Sequence, residues 1–405
     1  MMLKLKSMKK VKAYKRWTYI IFGIIIMMFL GTVYSYSVFR GALESELQIG
    51  ATESGMPYMA ALAFYSLFMF FTGRYIDKFH PSKILIFGGL LVSLGWILSS
   101  FVTNIFLLTI TYGCISGAGV GIAYGVPMSV IAKWFPDKKG LAVGLVLIGF
   151  GLSPLITAPV ARTLVDHYGV MRTFLILGVS FGAILPILAF AIKYPSVHDV
   201  ADYNKKQNDH NLIEIPLKEM IRTRSFKGVY SNFIIGSMIG LMMIGMTTNV
   251  GSDYFNLESS TVTRLMIIFA IFNGVGRPIF GWITDRYSSR NAMIISYILI
   301  ILSAIGLVTL SNHIGVYIIT FSIFWFNLGG WLAIAPTSTL NLYGKKNYSQ
   351  NYGFVFTAYG IGAIAGVSTS GVLLDYHGNY HYVFFYVIAL CIIGMILTAK
   401  YIKNK

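Results

Sequence analysis

Arg277 sits in the run Asn273-Gly-Val-Gly-Arg-Pro-Ile-Phe-Gly281, eight residues before Asp285. On a helix eight residues span about 12 Å. If Asp285 marks the end of a membrane span, Arg277 lies well inside it. A guanidinium near the middle of such a helix costs roughly 2.5–3.5 kcal/mol even on the lenient scale, and it normally faces a cavity. Its planar fork of donors fits a carboxylate with two parallel hydrogen bonds. The chemistry expected is therefore recognition of a small anion. The plainer alternative is an arginine bonded to backbone carbonyls inside a bundle. Asn273 lies one turn away on the same face. It is a neutral amide, so the charge of Arg277 stays available.

No acidic side chain is placed to cancel that charge. Of the fifteen acidic residues, Asp77 and Asp285 fall at span ends and the rest in loops or at loop edges. None of the seven histidines falls deep, although His381 could enter the last span. Cys114 and Cys391 lie in apolar segments without metal-ligand or disulfide spacing. There is no phosphate loop, no H-E-x-x-H and no Ser/His/Asp spacing. Neither an enzyme nor a cofactor is expected.

The elements that must position Arg277 follow from composition. The chain has 405 residues, 56% hydrophobic and only 12% charged, with mean hydropathy +0.69; a soluble protein carries about 25% charged residues. Trp17 to Phe39 is 23 residues without a formal charge, and about 20 cross a ~30 Å hydrocarbon core. The run is too long for a secretory signal and more spans follow, so it reads as a retained first span. Twelve spans are expected, near 17–39, 54–74, 83–103, 105–132, 141–161, 173–193, 228–250, 261–283, 291–311, 315–339, 351–374 and 381–402.

The net charge of +17 is spread over a basic tail, 1–16, and alternate loops. Arg74, Lys78 and Lys83, then Lys133, Lys138 and Lys139, then Arg286 and Arg290, then Lys345 and Lys346 mark inside loops. Glu44, Glu46 and Glu53, then Asp166, Asp253, Glu258 and Asp375 mark outside ones, with Arg40, Arg162 and Arg172 as exceptions. This bias places both termini in the cytoplasm of a multi-pass protein of the inner cell membrane. The partners expected are a lipid bilayer and a small carboxylate, not nucleic acid, and the unit is expected to work as a monomer. Residues 194–225, with Lys205 to His210, read as a cytoplasmic linker between a first half, 17–193, and a second, 226–405. Its end, Pro216 to Ile221, is either plain linker or a short amphipathic helix on the membrane face.

The halves repeat. Gly73-Arg-Tyr-Ile-Asp77-Lys78 closes the second span and Gly281-Trp-Ile-Thr-Asp285-Arg286 the eighth, 208 residues apart. Gly144 to Gly151 matches Gly353 to Gly360 at 209. Two matches at nearly one offset indicate duplicated six-span halves, a plan that places a site between the halves near mid-membrane. Gly73, Asp77, Lys78, Gly281, Asp285 and Arg286 read as a conformational latch. Each aspartate can face the N-terminal dipole of a neighbouring helix while the cation meets the lipid surface. The repeat partner of Arg277 is Met69, so the charge belongs to one half, which suits a ligand contact.

The doubled G-x-x-x-D-[RK] motif resembles that of the major facilitator superfamily, over essentially the whole chain. His80-Pro81 departs from it where glycine is usual. Gly31 to Phe39, Gly117 to Pro127, Lys133 to Ala142, Asn273 to Gly281, Gly329 to Pro336 and Asn351 to Gly362 further resemble the oxalate/formate antiporter family, which is similar to the monocarboxylate transporters. The resemblance implies an all-α membrane protein of twelve helices in two pseudo-symmetric six-helix bundles. In the oxalate carrier an arginine of the eighth span and a lysine of the eleventh hold two carboxylates. Arg277 matches the arginine, Tyr359 stands at the lysine, and Leu328 and Leu332 replace tenth-span aromatics. One cation implies a monocarboxylate such as lactate, pyruvate or formate, with Tyr359 donating to a hydroxyl or keto oxygen. Tyr34 and Tyr124 match cavity-lining aromatic positions, and Phe150, the repeat counterpart of Tyr359, is expected in the cavity wall. A dicarboxylate exchanger is the first alternative. A drug/proton antiporter is the second, but it would want a membrane carboxylate and a G-x-x-x-G-P-x-x-G run, and the fifth span reads Gly149-Phe-Gly-Leu-Ser-Pro154 instead.

Overall fold

The computed structural model describes residues 2–76, 78–136, 139–196, 199, 214–310, 313–344 and 347–402. Twelve helices are long and apolar enough to cross a membrane. They are α1 (Arg16–Leu47), α2 (Ala51–Gly73), α3 (Pro81–Ser99), α4 (Ile105–Trp134), α5 (Leu141–Tyr168), α6 (Val170–Ala191), α7 (Arg224–Gly245), α8 (Ser259–Arg286), α9 (Ser289–Thr309), α10 (Ile314–Tyr343), α11 (Gln350–His377) and α12 (His381–Tyr401). In hydrocarbon each backbone N–H must be satisfied within its own segment, which is why spans of this composition form helices. The helix of α1 reaches back through the basic tail to Met2.

Helices differ in what they face. Most of the apolar window of α7 and of α10 is buried, but only a third of that of α6. Ile187 and Phe190 on α6 and Ile396 on α12 are largely exposed, apolar surface suited to acyl chains. Within the first half α4 lies against α2 almost backbone to backbone. A Cβ at Gly117 would stand 2.4 Å from Ala61 O, and one at Gly121 2.4 Å from Tyr65 O, so only glycine fits. Two seams join the halves. α2 runs antiparallel to α11, with Thr52 beside Gly371 and Phe70 beside Gly353, and α5 packs on α8. Each seam pairs the second helix of one half with the fifth of the other, as a duplicated molecule should.

Twelve crossings put Gly73 and Arg286 on the same face as Arg16 and Tyr401, here the terminal face. Leu47, Ala51, Asp375 and His381 lie on the far face. The first span does not stop at Phe39. It passes through a 3-10 turn, Gly31–Ser35, and continues to Leu47. Arg40, read from sequence as a loop cation, is therefore on a helix and buried. Its Nε donates to Ser54 Oγ (3.0 Å), and its terminal nitrogens donate to Ala51 O (2.6 Å) and to Gly245 O of the second half (2.9 Å). Glu44 lies 3.7 Å from Arg40 and accepts from Ser54 Oγ and from Asn249 Nδ2. The Asp375 carboxylate accepts from the N–H groups of Ala51 and Thr52, at 2.9 and 3.0 Å. Those N–H groups at the start of α2 have no partner within the helix.

Asp77, expected in a conformational latch, lies outside the described residues, as do Lys138, Lys345, Lys346, His198 and the linker stretch Lys205 to His210. Gly73 ends α2, and the Lys78 ammonium stands 5.1 Å from the Tyr75 ring centroid. Arg286 ends α8 and is exposed. Asp285 accepts from Asn341 Nδ2 at 3.1 Å, near the C-terminal end of α10. No Cβ contact closer than 3.8 Å would confront Gly281. The linker's end forms one helical turn, Leu217–Met220. It docks on protein, with Ile215 N donating to Tyr343 O, Asn351 Nδ2 donating to Ile215 O, and Met220 buried.

Candidate functional site

Arg277 is 3% exposed, and none of its three guanidinium nitrogens has a hydrogen-bond partner. Among the described residues no Asp, Glu or His is buried. The charge thus stands alone in a low-dielectric setting, where an opposite charge is attracted far more strongly than in water. What lies beside it is aromatic. The Phe150 ring centroid is 6.0 Å from the guanidinium carbon, within the range of a weak cation–π contact. A backbone-bonded structural arginine would have its carbonyls; Arg40 shows what that looks like in this molecule, and Arg277 is its opposite.

Around Phe150 gather rings from four helices. Tyr34, on the 3-10 turn of α1, and Tyr124, on α4, meet it edge-on at 5.1 and 5.2 Å. Tyr65 of α2 stacks on it at 5.8 Å. From the second half Tyr359 and Phe356 of α11 close the ring, stacked on each other at 4.9 Å and edge-on to Tyr65. The Tyr34 and Tyr359 hydroxyls hydrogen-bond across the halves at 2.8 Å. All these side chains are buried, so the site is closed in this structure. A narrow crevice beyond Tyr65, lined by Phe29, Val33, Trp96, Tyr112 and Ser116 among others, holds no charged side chain.

Of the expected site residues, the structure brings together Arg277, Tyr34, Tyr124 and Tyr359, with Phe150 between them. Asn273 sits one turn from Arg277, but its amide N–H is engaged with Trp325 O of α10 at 2.9 Å. Only its Oδ1 remains without a partner, and that atom accepts. Leu328 and Leu332 are buried on α10, Leu328 against Gly240 of α7. His381 does not reach the site; it bonds Asn379 and the Tyr254 hydroxyl near the far face.

Sequence reasoning passed over Tyr65, Tyr352, Phe356 and the particular place of Gly151. The signal for α11 was present. Tyr348, Tyr352, Phe356 and Tyr359 recur at helical spacing, and their rings form a file running from the terminal face to the site. Tyr65 carries no local signal, since a tyrosine in an apolar span reads as packing.

The fold of two six-helix bundles around a central site is that of a membrane transporter. The model of the Major Facilitator Superfamily matches residues 20–341 and again 233–405, and the chain belongs to that family. It is 27% identical to the oxalate:formate antiporter of Oxalobacter formigenes over 354 residues, 87% of this chain and 83% of that one. It is 24% identical to an MFS-type transporter of Escherichia coli over 86% of both chains, and 25% identical to monocarboxylate transporter 12 of Mus musculus over 77% of this chain and 69% of that one. These relatives are named as transporters, not enzymes.

Proposed function

We propose that this transporter is a secondary carrier of small monocarboxylates, of the lactate, pyruvate or formate class, working by alternating access between halves 17–193 and 226–405. The observation that carries the reading is the buried Arg277 guanidinium with three unpartnered nitrogens. A carboxylate in the site would take two of its donors in parallel and cancel its charge. Tyr359 donates to a second oxygen of the cargo, while Tyr34 and Tyr124 wall the site. Asn273 Oδ1 suits a substrate hydroxyl, not a carboxylate oxygen. The charge bias of the loops supports an inner cell membrane with both termini cytoplasmic, and the latch residues Gly73, Asp77, Lys78, Gly281, Asp285 and Arg286 then lie on the cytoplasmic side. The names of the relatives point to the same cargo class. A dicarboxylate exchanger is the second reading, and a tyrosine where the resemblance places a lysine counts against it.

Reconstituted vesicles loaded with labelled lactate, pyruvate or formate test the assignment. Removing one partner of a buried charged contact costs about 2–5 kcal/mol, so Arg277→Ala should lower transport at limiting substrate at least ~30-fold. Arg277→Lys should recover part of it, because it restores charge without the fork. Wild-type rates in Arg277→Ala would refute the site.

A further inference from the structure

Gly151 is the point where the first half touches the charged residue of the second. A Cβ at this position would stand 2.5 Å from Asn273 Oδ1, 3.1 Å from Gly274 N and 3.2 Å from Arg277 Nε. The neighbouring glycines of α5 do different things. Gly149 faces α1 within its own half, where a Cβ would meet Ile24 O at 2.4 Å, and Gly144 has nothing within 4 Å. Two atoms without hydrogen-bond partners, Asn273 Oδ1 and Arg277 Nε, therefore converge on the one α5 residue that has no side chain at this contact. The preceding residue, Phe150, supplies the ring beside the guanidinium.

We propose that Gly151, together with Phe150, is the seat of Arg277: it sets where the guanidinium stands and so determines which carboxylates the site accepts. The inference rests on the reading of Arg277 as the carboxylate-binding residue. Gly151 makes no contact with substrate; it acts through Arg277 and is a positioning residue. A methyl group here meets Asn273 Oδ1 first, then the Gly274 backbone nitrogen and Arg277 Nε. It forces Asn273 Oδ1 aside and moves Arg277 Nε by a few tenths of an ångström, which shifts the guanidinium beside Phe150 and takes room from the cargo. The larger acid loses more than the smaller.

The test has two arms. The first needs no substrate. In detergent, Gly151→Ala should lower the melting temperature, and in an Asn273→Ala background the same change should lower it by less than half as much. An additive result would mean that Gly151 does not bear on this face, and would overturn the proposal. If Gly151→Ala alone fails to accumulate, the double variant should restore folded protein; failure in both backgrounds overturns it too. The second arm is transport of lactate and formate. Gly151→Ala should raise the KM for lactate about tenfold, a change of 1.4 kcal/mol, raise that for formate less, and keep Vmax within about twofold. Phe150→Leu, which adds no volume, should also raise KM. Gly144→Ala should change nothing. A fall in Vmax with KM unchanged would make Gly151 a glycine of the rocking motion and refute the seat. Should Arg277→Ala transport normally, the carboxylate reading fails, while the melting arm still decides whether Gly151 bears on the Asn273 face of α8.

Discussion

In the proposed function, Tyr359 of the hydroxyl pair Tyr34–Tyr359 serves both closure and recognition. Each phenol can donate once and accept, and one hydrogen bond, with either hydroxyl as donor, joins them across the halves. In the proposed function, when Tyr359 is the donor of this bond, a substrate oxygen that takes over its O–H removes one of the bonds holding the halves together. A typical buried hydrogen bond contributes about 1 kcal/mol net. Tyr359→Phe should therefore raise the KM for lactate or pyruvate roughly fivefold and leave formate, with no further oxygen to hold, nearly unchanged. Equal effects on the three acids in vesicle uptake would count against a contact with the second oxygen. Arg277 was legible from sequence because a guanidinium amid apolar residues is too costly to stand there without a cavity, a partner or a cargo. Gly151 was not, because glycine is frequent in membrane helices and carries no charge to single it out. Its role depends on what stands opposite, on a helix of the other half, and no local pattern carries that.

At the scale of the helix, the closure of the far face is built from helix ends. The Arg40–Glu44–Ser54 cluster reaches Gly245 and Asn249 of the second half, and Asp375 of α11 caps the exposed N–H groups at the start of α2. Beside them, burial and the neighbouring Asp253 carboxylate hold the Tyr380 phenol above its ordinary value. A raised acid of this kind contributes stability that is fully present below the ordinary phenol value of 10.0 and declines only above it. This group does not loosen the face near neutral pH. Losing a cap costs about 0.5–2 kcal/mol, so Asp375→Ala should open the far face more often. A cysteine placed at Thr248, which is 6% exposed here, should then react with maleimide about threefold faster or more. An unchanged rate would show that Asp375 does not hold the face shut. The twelve spans were legible because hydropathy sets their length, but the clamp was not. The uncharged run ends at Phe39 while the helix goes on to Leu47, and that continuation is what buries Arg40.

At the scale of the whole molecule, the charge count constrains the transport cycle. The described residues offer one unpaired buried cation at the centre and no buried carboxylate or histidine to neutralise it. The empty site is therefore positive, and the site holding a monocarboxylate is neutral. In the proposed cycle, rocking the halves past one another moves the buried seams α2–α11 and α5–α8, and an uncompensated guanidinium among them raises the barrier by the cost of an unpaired buried charge, several kcal/mol. Cargo removes that cost. The loaded carrier should reorient much faster than the empty one, which makes exchange the favoured mode. Vesicles loaded with labelled substrate test this directly. Unlabelled substrate outside should speed efflux at least ~10-fold, a difference of only 1.4 kcal/mol between the two barriers. Arg277→Ala, with no charge to neutralise, should lose this acceleration along with most of its affinity. Equal efflux with and without external substrate would mean that the empty carrier moves freely, and the charge at Arg277 would then not govern the cycle.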